Sequence, residues 1–353
     1  MKIERIIQII QASFKILVLK VESLLDLFST NKFLQLFAIS ISCILSFVFR
    51  LLVVQYSPPP VVDFLRTHEI VKEFLLGKNI YAEELSRKSI WSTQRYGYPP
   101  LHLYLSAALY VISILVNESH LTITQYFLFI IDIMVGLLIY KILNNGRFWN
   151  SFFGLILWIF NPFVLYNSSH AKYEVIMILF MLLAFAWLDK GKEIEATVFY
   201  TISIMIKPIP ILMLPLFLYK LKNRIQSIAI GLGIFLILSL PFLITPLTYF
   251  QALTFSQIGR GPAGDQGFGI FAQVHTLYSS IISKISMSII LIIIYTKFRE
   301  YDLYITSFLV YIATVSFFWV LYKQYFVWFI PFLIIVVFKN LRFKKEIDDK
   351  SNL

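Results

Sequence analysis

The run from Phe33 to Gln55 is apolar for long enough to cross the ~30 Å hydrocarbon core of a bilayer as a helix. Runs of similar character recur along most of the chain. A bilayer offers no water to pair bare backbone groups, so each such run must satisfy its own hydrogen bonds. The expected fold is therefore all-α, a polytopic membrane bundle. The chain is 14% charged, against about 25% in an ordinary soluble domain.

One stretch breaks the pattern. Between Ser57 and Leu101 the sequence carries Arg66, Lys72, Lys78, Arg87, Lys88 and Arg95 together with Asp63, Glu69, Glu73, Glu83 and Glu84. A long mixed-charge loop on a membrane-bound chain is a natural place for chemistry. Its first acid, Asp63, stands just beyond the apolar run that ends at Tyr56, beside any cavity the helices form.

The net charge of +11 does not call for nucleic acid. The basic residues cluster in short connections, as the positive-inside rule expects of cytoplasmic loops. The lone cysteine, Cys43, lies in an apolar run, so no disulfide or thiol redox pair can form within the chain. Residues 1–32 carry Lys15, Lys20, Glu22 and Asp26 among apolar residues at helical spacing (Ile6, Ile9, Ile10, Phe14, Leu17, Val21), which predicts an amphipathic cytoplasmic segment and not a cleaved signal.

Charge asymmetry sets the expected topology. If Leu101–Val116 lies in the outer leaflet as a half-embedded helix, the connections near Asn145, Asp189–Glu193, Lys220–Arg224, Lys297–Glu300 and the tail after Phe338 are all cytoplasmic, the first with Arg147 and each of the others with at least two Lys or Arg. Spans are then predicted at 33–55, 125–143, 149–167, 175–188, 194–206, 208–219, 225–245, 283–298, 302–321 and 326–338, within a catalytic domain of 33–338. A first external loop covers 57–124, a Gly-rich external loop 246–278, and a basic cytoplasmic tail 339–353. The spans on either side of Ile206-Lys207-Pro208-Ile209-Pro210 are too short to cross alone, and proline breaks the helix there. Two short helices meeting below the surface leave a hollow with Lys207 on its floor.

No Walker motif, strand-linked Gly-x-Gly-x-x-Gly or zinc spacing occurs, and the cytoplasmic connections are too short for a nucleotide-binding domain. An activated substrate must then come from the membrane, as a lipid-linked donor.

Asp63 followed by Gly77-Lys78-Asn79-Ile80-Tyr81 and Tyr96-Gly97-Tyr98-Pro99-Pro100-Leu101 resembles the first external loop of the GT-C superfamily of glycosyltransferases. Phe129-Ile130-Ile131-Asp132, Asn161-Pro162-Phe163 leading to Ser168-Ser169-His170, Ile206-Lys207-Pro208 with Leu214-Pro215, and Gln324-Tyr325-Phe326-Val327-Trp328 look closest to the catalytic subunit of GPI mannosyltransferase I and its prokaryotic relatives. That mannosyltransferase has Asp-x-Asp in the loop; here Val61 stands at the first position and Asp63 at the second. The resemblance implies inverting transfer of a hexose, mannose first, from polyprenyl or dolichyl phosphate to a glycan or glycolipid on the outer face of the cell membrane. It also implies an acid of the first loop as base, and it aligns Glu69 and Glu174 with later acids of the family.

Such a transfer needs a base for the acceptor hydroxyl and cations for the leaving phosphate. Asp63 suits the first role, with Glu69 and Glu174 as the other catalytic carboxylates. Lys207 suits the second, with Lys323, Arg95 and Arg260 as further phosphate-binding candidates. His68, Tyr98, His170, Gln324 and Tyr325 are the candidate substrate contacts. Asp132, inside an apolar span, calls for a structural partner. The histidines (His68, His102, His120, His170, His275) all fall on the external side, which permits a divalent metal, but they show no ligand spacing, so none is required. The expected partners are membrane lipids, the lipid-linked donor and the acceptor, with an accessory membrane subunit compatible and nucleic acid not. A lipid or solute transporter is the alternative, but its charges would gather near the midplane in repeated halves.

Overall fold

The structure is a computed structural model that describes residues 23, 26–56, 62–83, 97–144, 148–258, 277–317 and 323–339; the side chains of 62, 63, 82, 83, 252, 254–258, 277–281 and 323 are outside that description. The described residues form helices without a strand. In chain order they are α1 (Lys32–Tyr56), α2 (Val62–Leu75), α3 (Ile80–Glu83), α4 (Pro100–Leu115), α5 (His120–Leu143), α6 (Phe148–Ile159), α7 (Pro162–Ser169), α8 (Glu174–Leu188) and α9 (Glu193–Ile206). After a 3-10 turn (Ile209–Met213) come α10 (Leu214–Lys220), α11 (Arg224–Ser239), α12 (Pro246–Ile258), α13 (Leu277–Lys297) and α14 (Leu303–Phe317). The last helix, α15 (Gln324–Lys339), opens with 3-10 turns.

Among the described residues α1, α5 and Arg224–Phe242 are long and apolar enough to cross a membrane singly. The predicted span 149–167 is instead a broken pair, α6 and α7, bent by 45°. Pro162 supplies no N–H, and the Asn161 carboxamide oxygen takes the Phe163 N–H (2.9 Å), so the Ile159 carbonyl loses its helical donor. Arg50 of α1 replaces that donor (2.8 Å) and also pairs with Asp132 of α5 (3.2 Å). Asp132 thus has its structural partner, on a residue hidden within the first apolar run. Close helix approach completes this corner: a Cβ at Gly136 would stand 2.6 Å from the Ile159 side chain.

Two further expectations are revised. Pro246–Ile258 is helical where the sequence reads as loop, because Tyr249 buries itself against Tyr81 and Phe242 (ring centroids 4.9 and 6.0 Å). The predicted span 208–219 is a 3-10 turn followed by a seven-residue helix, the prolines at 208, 210 and 215 preventing one continuous helix. The Gly-rich centre at 259–276, the amphipathic segment up to residue 22 and the tail from 340 lie outside the described residues.

α8 packs on α5 and most extensively on α9. α8 is buried nearly all round, from Glu174 to Phe185. It runs from the end of the bundle that carries the 57–124 loop to the end that carries the basic connections. At that basic end Glu193 accepts from the Lys222 and Asn223 N–H groups (2.9 and 3.0 Å), and Lys339 pairs with Asp302 (3.0 Å). At the other end α2, α3 and α4 build a small separate core with Phe242 and Tyr249. The Tyr81 hydroxyl, which donates to the Tyr98 carbonyl (2.7 Å), fixes the chain entering α4. That second core holds the loop helices beside the Glu174 end of α8 and the Lys207 end of α9.

Candidate active site

A pocket opens between the two layers, lined by Phe64, Thr67, Tyr98, His102, Ala171, Lys172, Tyr173, Glu174 and Lys207. Its cavity volume is about 30 Å³, room for a water or two.

Local sequence rules deliver each polar group. Lys207 precedes Pro208, and a residue before proline is pushed out of the helical region. Accordingly Lys207 is extended (φ −150°, ψ 133°), which ends α9 and leaves its side chain at the helix tip. Glu174 comes from the facing helix. α7 ends in a reverse turn in which the Lys172 N–H returns to the Asn167 carbonyl (2.9 Å) and the Ala171 N–H to Ser168 (3.1 Å). Ala171 takes the left-handed conformation (φ 53°) that such a turn usually reserves for glycine. The turn presents Ala171, Lys172, Tyr173 and Glu174 to the pocket in succession. Glu174 then opens α8, where a carboxylate also suits the helix dipole.

Lys207 Nζ pairs with Glu174 Oε1, both side chains nearly out of solvent. Glu174 Oε2 is buried and has no partner. The Lys207 ammonium also stands 5.6 Å from the centre of the Tyr98 ring. Tyr98 stacks on His102 (4.4 Å), and His102 meets Tyr173 (4.5 Å), so three rings line one wall. Burial, and then the nearby Lys207, push the His102 imidazole down to about 3, which leaves it neutral at pH 7. Burial pushes the Tyr173 phenol up to about 12, so it keeps its proton. The lining therefore combines two lysines, one carboxylate and aromatic rings, a set that suits an anionic group.

Of the residues singled out from sequence, Tyr98, Glu174 and Lys207 meet in this pocket. Asp63 lies in the first turn of α2, one position before Phe64 and four before Thr67, both of which line the pocket. Its side chain, that of Lys323, and Arg95 and Arg260 lie outside the described residues. Glu69 is exposed and pairs with Lys72 (3.4 Å), away from the pocket. His68 turns to His120 (Nδ1–Nδ1 3.0 Å), and burial lowers its pKa. His170 caps α7 and stacks on Tyr166 (4.1 Å). Gln324 offers its carbonyl to the Asn167 amide (3.3 Å), while Tyr325 stacks on Trp328 (4.3 Å) in the core. Lys172, His102 and Tyr173 were not marked out by their local sequence. Lys172 could have been, as a basic residue two positions before Glu174. Among the described residues no group of three or more His, Cys, Asp or Glu is placed to hold a metal.

Apolar helices of this kind around a charged pocket make the chain a polytopic membrane protein. It belongs to glycosyltransferase family 87, a GT-C-type membrane family, whose family model matches residues 96–338. No curated protein matches the chain. The matched stretch takes in Tyr98, Lys172, Glu174 and Lys207, and begins after Asp63, His68, Glu69 and Arg95.

Proposed function

We propose that this glycosyltransferase moves a hexose, mannose by the sequence resemblance, from a polyprenyl or dolichyl phosphate to a hydroxyl of a glycan or glycolipid acceptor, on the extracytoplasmic face. The observation that carries this reading is the buried Lys207 ammonium in the pocket, at the tip of the short helix α9. A phosphate on a lipid tail can reach that depth while its tail stays in the bilayer. Lys172, which also lines the pocket, adds a second cation.

In the reaction the acceptor oxygen attacks the anomeric carbon from the face opposite the phosphate. The new carbon–oxygen bond forms as the bond from the anomeric carbon to the phosphate oxygen breaks, with its electron pair leaving on the phosphate. Lys207 and Lys172 stabilise the charge that grows there. The acceptor proton passes to a carboxylate. Asp63 takes this part, since position 63 shares a helix face with the pocket-lining Thr67, and Glu174 holds Lys207. The basic connections gathered at the opposite end support an extracytoplasmic pocket.

Purified protein reconstituted with prenyl-phosphate hexoses tests the reading, with mass spectrometry of the products. Asp63→Asn is expected to lower turnover by about 10²–10⁴-fold, the usual worth of a general base, with donor binding retained. Near-normal turnover by Asp63→Asn would move the base elsewhere. Full activity in Asp63→Asn, Glu69→Gln and Glu174→Gln alike would remove the mechanism.

A further inference from the structure

The Glu174 carboxylate is half used. Oε1 holds the Lys207 ammonium, while Oε2 is buried, without a partner and part of a residue that lines the pocket. A buried acceptor left unpaired is costly, and a site that keeps one presents it to whatever enters. What enters must bring a hydrogen-bond donor, which the phosphate itself lacks.

Resting on the proposed donor, we infer that Glu174 is a specificity-determining residue that accepts a hydrogen bond from the sugar's 2-hydroxyl through Oε2. The argument is one of reach. If Lys207 holds the glycosidic oxygen of the phosphate, where the leaving charge grows, the donor's anomeric carbon is the next atom. Oε2 shares a carbon with Oε1, which already touches the same ammonium. The hydroxyl on the ring carbon next to the anomeric centre is the one that falls beside both groups. The 3- and 4-hydroxyls lie further round the ring, and the 6-hydroxyl is reached only through the ring oxygen, C5 and C6. The bond would also strengthen during transfer, as contacts to a 2-hydroxyl do when the ring gains oxocarbenium character. Glu174 thereby links sugar recognition to the cation that receives the leaving charge.

The test compares a hexosyl prenyl phosphate with its 2-deoxy analogue, by kcat/KM, in the wild-type protein and in Glu174→Gln. A hydrogen bond to a charged group predicts that the wild type disfavours the 2-deoxy donor by about 10- to 150-fold. In Glu174→Gln that preference is expected to shrink about tenfold. The greater intrinsic reactivity of 2-deoxy donors cancels in the ratio of the two preferences. An unchanged preference in Glu174→Gln overturns the inference while leaving the proposed function standing. Failure of the wild type to use any prenyl-phosphate hexose overturns both. Should Glu174→Gln not fold, the wild type's binding of 2-, 3-, 4- and 6-deoxy donors decides. The 2-deoxy compound must lose most, and a greater loss at another position removes Glu174 from the 2-hydroxyl.

Discussion

Among the described residues two ion pairs are buried, and their surroundings differ. Arg50 and Asp132 lie between α1, α5 and the α6–α7 break, with side chains 1% and 0% exposed. The guanidinium reaches Asp132 (3.2 Å), the Ser46 carbonyl (3.3 Å), the Ser46 hydroxyl and the Ile159 carbonyl (2.8 Å). Its acceptors come from three helices, a task the rigid fork of arginine is built for. Lys207 has one carboxylate and the face of a tyrosine, at the edge of a cavity. A lysine ammonium on a flexible stem can turn toward a ligand without giving up its partner. The lesson is that burial alone does not separate a structural pair from a functional one. The number of acceptors the protein supplies, and whether a cavity adjoins the pair, does.

Breaking the pairs should give different losses. The larger is expected at Arg50: Arg50→Met leaves Asp132 buried and unpaired, which destabilises by about 3–5 kcal/mol. Unfolding in detergent would measure it, and adding Asp132→Leu should restore most of the loss. If Arg50→Met unfolds like the wild type, the pair is not a clamp and the contrast fails. At Lys207 the loss should fall on turnover. Lys207→Ala is expected to slow transfer by about ten- to a hundredfold, the worth of a charge-assisted bond to phosphate, with a smaller loss of stability because the cavity lets water reach Glu174. Equal destabilisation by the two substitutions would make both pairs structural.

How legible these pairs were in the sequence follows from what each depends on. Lys207 could be read locally, because Pro208 on one side and a short apolar run on the other dictate both the break and the residue at its tip. Arg50 could not. It sits six residues before Tyr56, where a basic residue reads as a helix-end charge, and its role needs a carbonyl freed far away at Ile159. That break was itself signalled by Asn161-Pro162, yet an apolar run spanning it reads as one helix. Helix α12 was hidden for a similar reason: its partner Tyr81 lies in a loop distant in sequence. The family resemblance aligned His170, Gln324 and Tyr325 along the chain, but their backbone contacts and stacking place them beside α7 and not among the pocket lining.

The shortness of α9 has a further consequence. Its fourteen residues, Glu193–Ile206, make a helix of about 21 Å, against a hydrocarbon core of ~30 Å. A bilayer meeting so short a helix is expected to thin beside it, a mismatch worth fractions of a kcal/mol per Å. Arg50, on the full-length helix α1, answers to no such thinning. Membrane thickness is therefore expected to act on the pocket beside α9. Proteoliposomes of lengthening acyl chains are expected to raise the KM for the lipid donor a few-fold, with thermal stability unchanged. A KM indifferent to chain length would mean that the donor does not reach Lys207 through a thinned leaflet.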